Sequence, residues 1–322
     1  MPLDPRVKRF LDVLAAGNPP NALEVTVEQR RLGLAELMRL AGPAAPVGGI
    51  ENRTLPGPGG RTLAVRIYTP QSATPQSSTP QGPETELSAG LVYFHGGGLV
   101  AGSVETHDSI ARALAHFGGC RVVSVEYRLA PEHPFPAALD DALAAVTHIG
   151  ANAAHFRIDG ARLGICGDSA GATLAAATAQ AIARIGGPRL ALQVLICPIL
   201  DYSRRTESRR DLASGYLVDQ ATLDHDLLHY APPGTDPADP RISPLRAADI
   251  AGLPRTLIHT AEFDPLRDEG RDYFERLARA RCEVSYTCHP GMIHLFYGLG
   301  AVIPYARTAF EQIGGEIRAA LA

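Results

Sequence analysis

Residues 165–183 read ICGDSAGATLAAATAQAIA. An apolar, β-rich run ends at Gly167, and a helix of small residues is predicted to begin near Ala170. Ser169 stands on the corner between them. The pattern Gly167-Asp168-Ser169-Ala170-Gly171 is a G-x-S-x-G turn, in which a strained strand-to-helix corner exposes the serine hydroxyl above a sheet. Flanking Gly and Ala keep other side chains clear of it. The helix beginning beneath the serine offers unpaired N–H groups and the positive end of its dipole. A serine that merely caps a helix is the plainer reading, so the rest of the chain has to be weighed.

Outward from this corner, short apolar runs alternate with helical stretches: AGLVYF (89–94), RVVSVEY (121–127), RLGICG (162–167), ALQVLICP (191–198), RTLIHTAE (255–262) and CEVSYTC (282–288). Nearly continuous apolar strands are those covered on both faces, and their alternation with helices predicts an α/β fold with a doubly wound, mostly parallel central sheet flanked by helices. RTLAVRIYTP (61–70) alternates like a further strand. Residues 1–45 carry helical patterns, clearest in TVEQRRLGLAELMRLAG, and 201–250 are polar, Pro-rich and weakly helical, an insertion lying over the sheet edge. Between them, Thr-Pro-Gln recurs at 69, 74 and 79, which predicts a flexible surface loop over 70–88.

The 322 residues are 45% hydrophobic and 20% charged, with net charge −4, ordinary for a soluble globular chain. Mild acidity with scattered Lys and Arg gives no reason to expect nucleic acid. Nothing approaches the length of a membrane span. The N-terminal stretch has no unbroken apolar core of the signal-peptide kind. Five cysteines without framework spacing read as free thiols, Cys166 as a buried one, and Cys282 and Cys288 as sharing a strand face unbonded. The cytoplasm is the expected compartment, and a homodimer is compatible with these features.

Residues 94–103 read FHGGGLVAGS. Bare backbone N–H groups suit the charge that develops on an attacked carbonyl oxygen, provided nothing bulky shields them. Gly96 and Gly97, with the N–H of Ala170, are the expected oxyanion donors; His95 and Gly98 support the loop, and Asp168 braces it. No nucleotide-binding glycine pattern or zinc spacing is present, so no metal or organic cofactor is expected. A serine nucleophile needs a base and an orienting carboxylate, in the chain order Ser, acid, His. Only His289 and His294 follow a suitable acid, and His294 lies in a loop beyond a strand, so it is favoured. Glu262, Asp264 and Asp268 are the acids on offer. Asp264, before Pro265, also resembles a helix cap; Asp264 is favoured for the triad, with Glu262 second.

Taken together, His95-Gly96-Gly97-Gly98, VEYRLAPEHPFPAALDDA (125–142), GDSAG (167–171), DPLRDEG (264–270) and HLF (294–296) resemble the bacterial hormone-sensitive-lipase-like (family IV) carboxylesterases of the α/β-hydrolase fold. The resemblance implies Ser169 as nucleophile, Asp264 as acid, His294 as base, and hydrolysis of short-chain acyl esters, small-molecule substrates, through an acyl-enzyme. It implies a helical cap made by 1–45 and 201–240, over a core of 46–200 and 241–322. Glu132 and His133, inside the resembling stretch, read as structural. Leu99 stands where the family commonly has an aromatic residue, Leu295 where it often has Gly, and the chain has no Trp. Amidase or transacylase chemistry on the same triad, a true lipase, and a non-catalytic ligand receptor on the same fold are the rival readings.

Overall fold

The structure, a computed structural model, describes residues 2–71 and 87–322. The loop expected over 70–88 falls outside the described residues except at its ends. The strands are β1 (Gly49–Pro56), β2 (Thr62–Thr69), β3 (Ser88–Phe94), β4 (Arg121–Val125), β5 (Ile158–Asp168), β6 (Leu192–Ile196), β7 (Arg255–Phe263) and β8 (Val284–Ile293). They form one sheet in the order β1-β2-β4-β3-β5-β6-β7-β8. The β1–β2 and β2–β4 pairs are antiparallel. From β4 onward every pair is parallel.

The helices are α1 (Pro5–Ala16), α2 (Val27–Met38), α3 (Asp108–Gly118), α4 (Ala137–Ala151), α5 (Ala170–Ile185), α6 (Glu207–Asp211), α7 (Gln220–Tyr230), α8 (Arg267–Arg279) and α9 (Tyr305–Ala320). Strand side chains point alternately to opposite faces, so a strand buried on both sides feeds two cores. In β3, Val92 and Phe94 join the core that holds α4, α5 and α8. Leu91 and Tyr93 join the other, with α3 and α9. This α/β architecture agrees with the sequence reading, with β1 added at the edge. Cys282 lies before β8 begins, so it does not share a strand face with Cys288; all five cysteines are free.

The N-terminal helices are well specified locally. Asp4 caps α1 through Arg6 N–H at 2.7 Å, with Pro5 in the first turn. Thr26 and Gln29 form a capping box on α2. Leu34 and Met38 of α2 are buried in the same core as Leu295, Phe296 and Leu299. Arg31 ties α2 down: its Nε donates to Val100 O at 2.9 Å, and its Nη2 to Ala130 O at 3.1 Å and Glu132 Oε2 at 2.6 Å. This hydrogen bond holds the Glu132 carboxyl down at about 2. Glu132 therefore has the structural role read from the sequence.

The DPLRDEG stretch also carries structure. Glu269 is fully buried, accepts the N–H groups of Leu200 and Asp201 at 2.7 and 2.9 Å, and pairs with Arg209 Nε at 2.6 Å. Both ions are out of water, so removing one leaves the other uncompensated. Arg209→Met is expected to lower the free energy of unfolding by about 3–5 kcal/mol. Urea titration checks this, and a loss below about 1 kcal/mol would contradict it.

Candidate active site

Ser169 sits at the turn from β5 into α5 with φ +52°, a left-handed value that a non-glycine residue holds only when its surroundings impose it. Backbone contacts impose it here. Ser169 N–H donates to Ile196 O at 2.8 Å, and Ser169 O accepts from Ala172 N–H at 3.1 Å. The flanking glycines make the turn sterically feasible: a Cβ on Gly167 would overlap the backbone of Gly171, and one on Gly171 would overlap the carbonyl of Phe94.

His294 directly follows β8. Its Nε2 lies 2.9 Å from Ser169 Oγ, and its Nδ1 lies 2.8 Å from Asp264 Oδ2. The structure thus brings together the three residues chosen from sequence. Asp264 is fully buried, and its Oδ1 accepts Leu266 N–H at 2.8 Å. It makes a turn ahead of α8 rather than capping it, because the helix begins at Arg267. The other acids are occupied elsewhere. Glu262 accepts Gly291 N–H at 2.7 Å, and Asp268 accepts Ser208 N–H at 2.8 Å. His289 is set apart from Ser169: its Nε2 is 3.2 Å from His259 Nδ1, its Nδ1 is 3.2 Å from the Tyr305 hydroxyl, and burial lowers its pKa to about 3.

The glycine loop requires a correction. Gly96 is not a free donor, because its N–H is given to Asp168 Oδ1 at 3.0 Å. Among the described residues no acceptor takes the N–H of Gly97, Gly98 or Ala170. Gly97 and Gly98, not Gly96, line the pocket at Ser169. Asp168 is the brace: Oδ1 also accepts the Tyr93 hydroxyl at 2.5 Å, and Oδ2 accepts Tyr297 at 3.0 Å. Burial raises its pKa. His95 holds the loop from the other side, with Nδ1 2.8 Å from Gly96 O and its ring stacked on Tyr127 at 4.3 Å. Burial, and then the neighbouring His107, lower the His95 pKa to about 3, so it stands as a neutral imidazole.

Tyr93, Tyr127 and Tyr297 were not singled out in the sequence because their partners lie far along the chain: Asp168 for Tyr93 and Tyr297, and His95 O for the Tyr127 hydroxyl at 2.7 Å. Nor was Cys197. Its Sγ lies within 4.8 Å of ligand atoms of Asp264 and His294, and burial, with that carboxylate beside it, keeps it a thiol.

The pocket over Ser169 has a volume of about 150 Å³. Leu34 and Leu37 from α2, Leu217, Val218 and Leu223 from the segment around α7, and Leu295 supply apolar wall. Leu295 holds φ +62° at a position where glycine would be unstrained. Among the described residues no helix is long and apolar enough to cross a membrane.

A model of the alpha/beta hydrolase fold family matches residues 91–298. The carboxylesterase NlhH of Mycobacterium tuberculosis is 38% identical over 264 residues, covering 81% of this chain and 79% of that protein. The ethyl acetate hydrolase of Pseudomonas putida is 36% identical over 322 residues, covering 97% of this chain and 98% of that protein. Among solved structures, a hyperthermophilic esterase from the archaeon Pyrobaculum calidifontis superposes with a TM-score of 0.90 at 34% identity, each chain covered to 100%. Sheet order, serine corner and these similarities agree: the chain belongs to the α/β-hydrolase family, among the hormone-sensitive-lipase-like carboxylesterases.

Proposed function

We propose that this chain is a serine carboxylesterase for short-chain acyl esters, with Ser169 as nucleophile, His294 as base and then acid, and Asp264 as the group that orients His294. The observation that carries the reading is the continuous relay from Ser169 Oγ through both nitrogens of His294 to Asp264, at 2.9 and 2.8 Å, on the wall of a pocket. As Oγ bonds to the ester carbonyl carbon, its proton passes to His294 Nε2. The carbonyl π pair moves onto oxygen, where the N–H groups of Gly97, Gly98 and Ala170 receive it. Collapse breaks the bond to the leaving alkoxide, which takes the proton from His294 and departs as alcohol. Water, deprotonated by the same nitrogen, attacks the acyl-enzyme and releases the acid.

Residues 1–45 and 201–240 serve as the cap in this reading, with 46–200 and 241–322 as the core. Its support is that Leu34 and Leu37 of the first segment and Leu217, Val218, Leu223 and Asp226 of the second line the pocket at Ser169. The small volume and apolar wall favour short acyl groups. Turnover of p-nitrophenyl esters from acetyl to palmitoyl tests this. We expect kcat/KM to be highest between acetyl and hexanoyl and at least about 10-fold lower by dodecanoyl, since extra methylenes no longer find apolar wall to cover them. A profile rising toward palmitoyl would point instead to a lipase.

A further inference from the structure

The wall of this pocket contains an ion pair. Arg30, on α2, reaches Asp226, on α7, in a two-pronged contact: Nε to Oδ1 at 3.3 Å and Nη2 to Oδ2 at 3.0 Å. The Asp226 side chain is 6% exposed and the Arg30 side chain 18%. Asp226 Oδ1 also lies 3.1 Å from His225 Nδ1. The carboxylate is pressed against the glycine loop: Gly98 holds φ +70°, and a Cβ there would overlap Asp226. Arg30, Gly97, Gly98, Ser169 and Asp226 all border the same pocket.

A carboxylate here is an odd choice for an ester hydrolase. It places a negative charge beside N–H groups that have to receive a second, developing negative charge. With the Asp226 carboxylate almost withdrawn from solvent, that repulsion is weakly screened, and it falls on the transition state and not on the neutral ester. A bidentate guanidinium is the one side chain whose fixed fork cancels a carboxylate while holding it in place.

We propose that Arg30 is a positioning residue of the reaction: it cancels the charge of Asp226 against the oxyanion loop, so that the site is electrostatically competent only when α2 is docked onto α7. The inference rests on the reading of Gly97 and Gly98 as oxyanion donors. Arg31 anchors the same helix to the core through Val100, Ala130 and Glu132, so the Arg30 contact is held at a set place.

A double-mutant cycle tests it with p-nitrophenyl butyrate. Arg30→Met is expected to lower kcat on the order of 10- to 100-fold, with KM changed less than about 3-fold, because an uncompensated charge acts on the transition state. In the Asp226→Asn background the same substitution is expected to cost less than about 3-fold, there being no charge left to cancel. Arg30→Lys, which keeps the charge but loses the fork that holds the carboxylate in place, is expected to fall between wild type and Arg30→Met in kcat. Should Arg30→Met fail to fold by circular dichroism, Arg30→Gln takes its place and carries the same expectation. Equal losses in both backgrounds, or an unchanged kcat, overturn the proposal. Ser169→Ala is run alongside. If activity survives in it, the reading of Ser169 as nucleophile, on which the oxyanion assignment depends, has failed. If activity is Ser169-dependent and the two backgrounds respond alike, only the role of Arg30 has failed.

Discussion

Ser169→Ala is expected to reduce kcat on p-nitrophenyl butyrate by on the order of 10⁴-fold or more, while KM and the thermal midpoint stay close to wild type. The substitution removes one oxygen, and that oxygen contacts His294 Nε2 at 2.9 Å. Without it no acyl-enzyme forms, and what remains is the slow attack of water helped by the oxyanion donors and by binding. The fold has little to lose. The backbone bonds of Ser169 to Ile196 and Ala172 hold the corner, and they do not involve the side chain. Steady-state kinetics with a melting curve on the same preparation checks both halves. A variant that keeps more than a tenth of wild-type kcat would show that the nucleophile is elsewhere.

Asp264→Asn is expected to cost about 10³- to 10⁴-fold in kcat. The carboxylate accepts from His294 Nδ1 at 2.8 Å, which leaves the lone pair on Nε2, facing the serine. An amide can turn its NH₂ toward Nδ1. The imidazole then carries its proton on Nε2 and has no lone pair for the serine proton. Asn can still accept the Leu266 N–H through its oxygen, so the turn before α8 survives. The informative control is Glu262→Gln. Glu262 lies close in sequence but accepts from Gly291, so this variant is expected to keep kcat within about 3-fold. If the two variants lost activity equally, the orienting role could not belong to Asp264.

Much of this was legible in the chain because it rests on local chemistry. The G-x-S-x-G corner announces itself: only residues without bulky side chains let backbone cross at Gly167 and Gly171. Continuous apolar runs reveal strands covered on both faces, and the order of serine, acid and histidine follows from where strand ends lie in a parallel sheet. Strand β1 was not legible, since it lies at the edge and is mostly solvent-exposed, with Leu55 its buried residue, so the apolar alternation that marks a strand is nearly absent.

Which glycines are free was equally closed to sequence. Gly96, Gly97 and Gly98 are the same residue three times over, and what separates them is the carboxylate of Asp168, 72 positions away, taking the Gly96 N–H. The Arg30–Asp226 pair spans 196 positions, and in sequence its members are one arginine of a doublet and one acid of a polar helix. Sequence alone determined the nucleophile corner, the parallel sheet and the candidate triad, because turn sterics and burial pattern act over a few residues. Tertiary structure alone decided which amides remain unspent and which charge stands beside them, because a hydrogen bond or ion pair is set by distance in space, which the spacing along the chain does not encode.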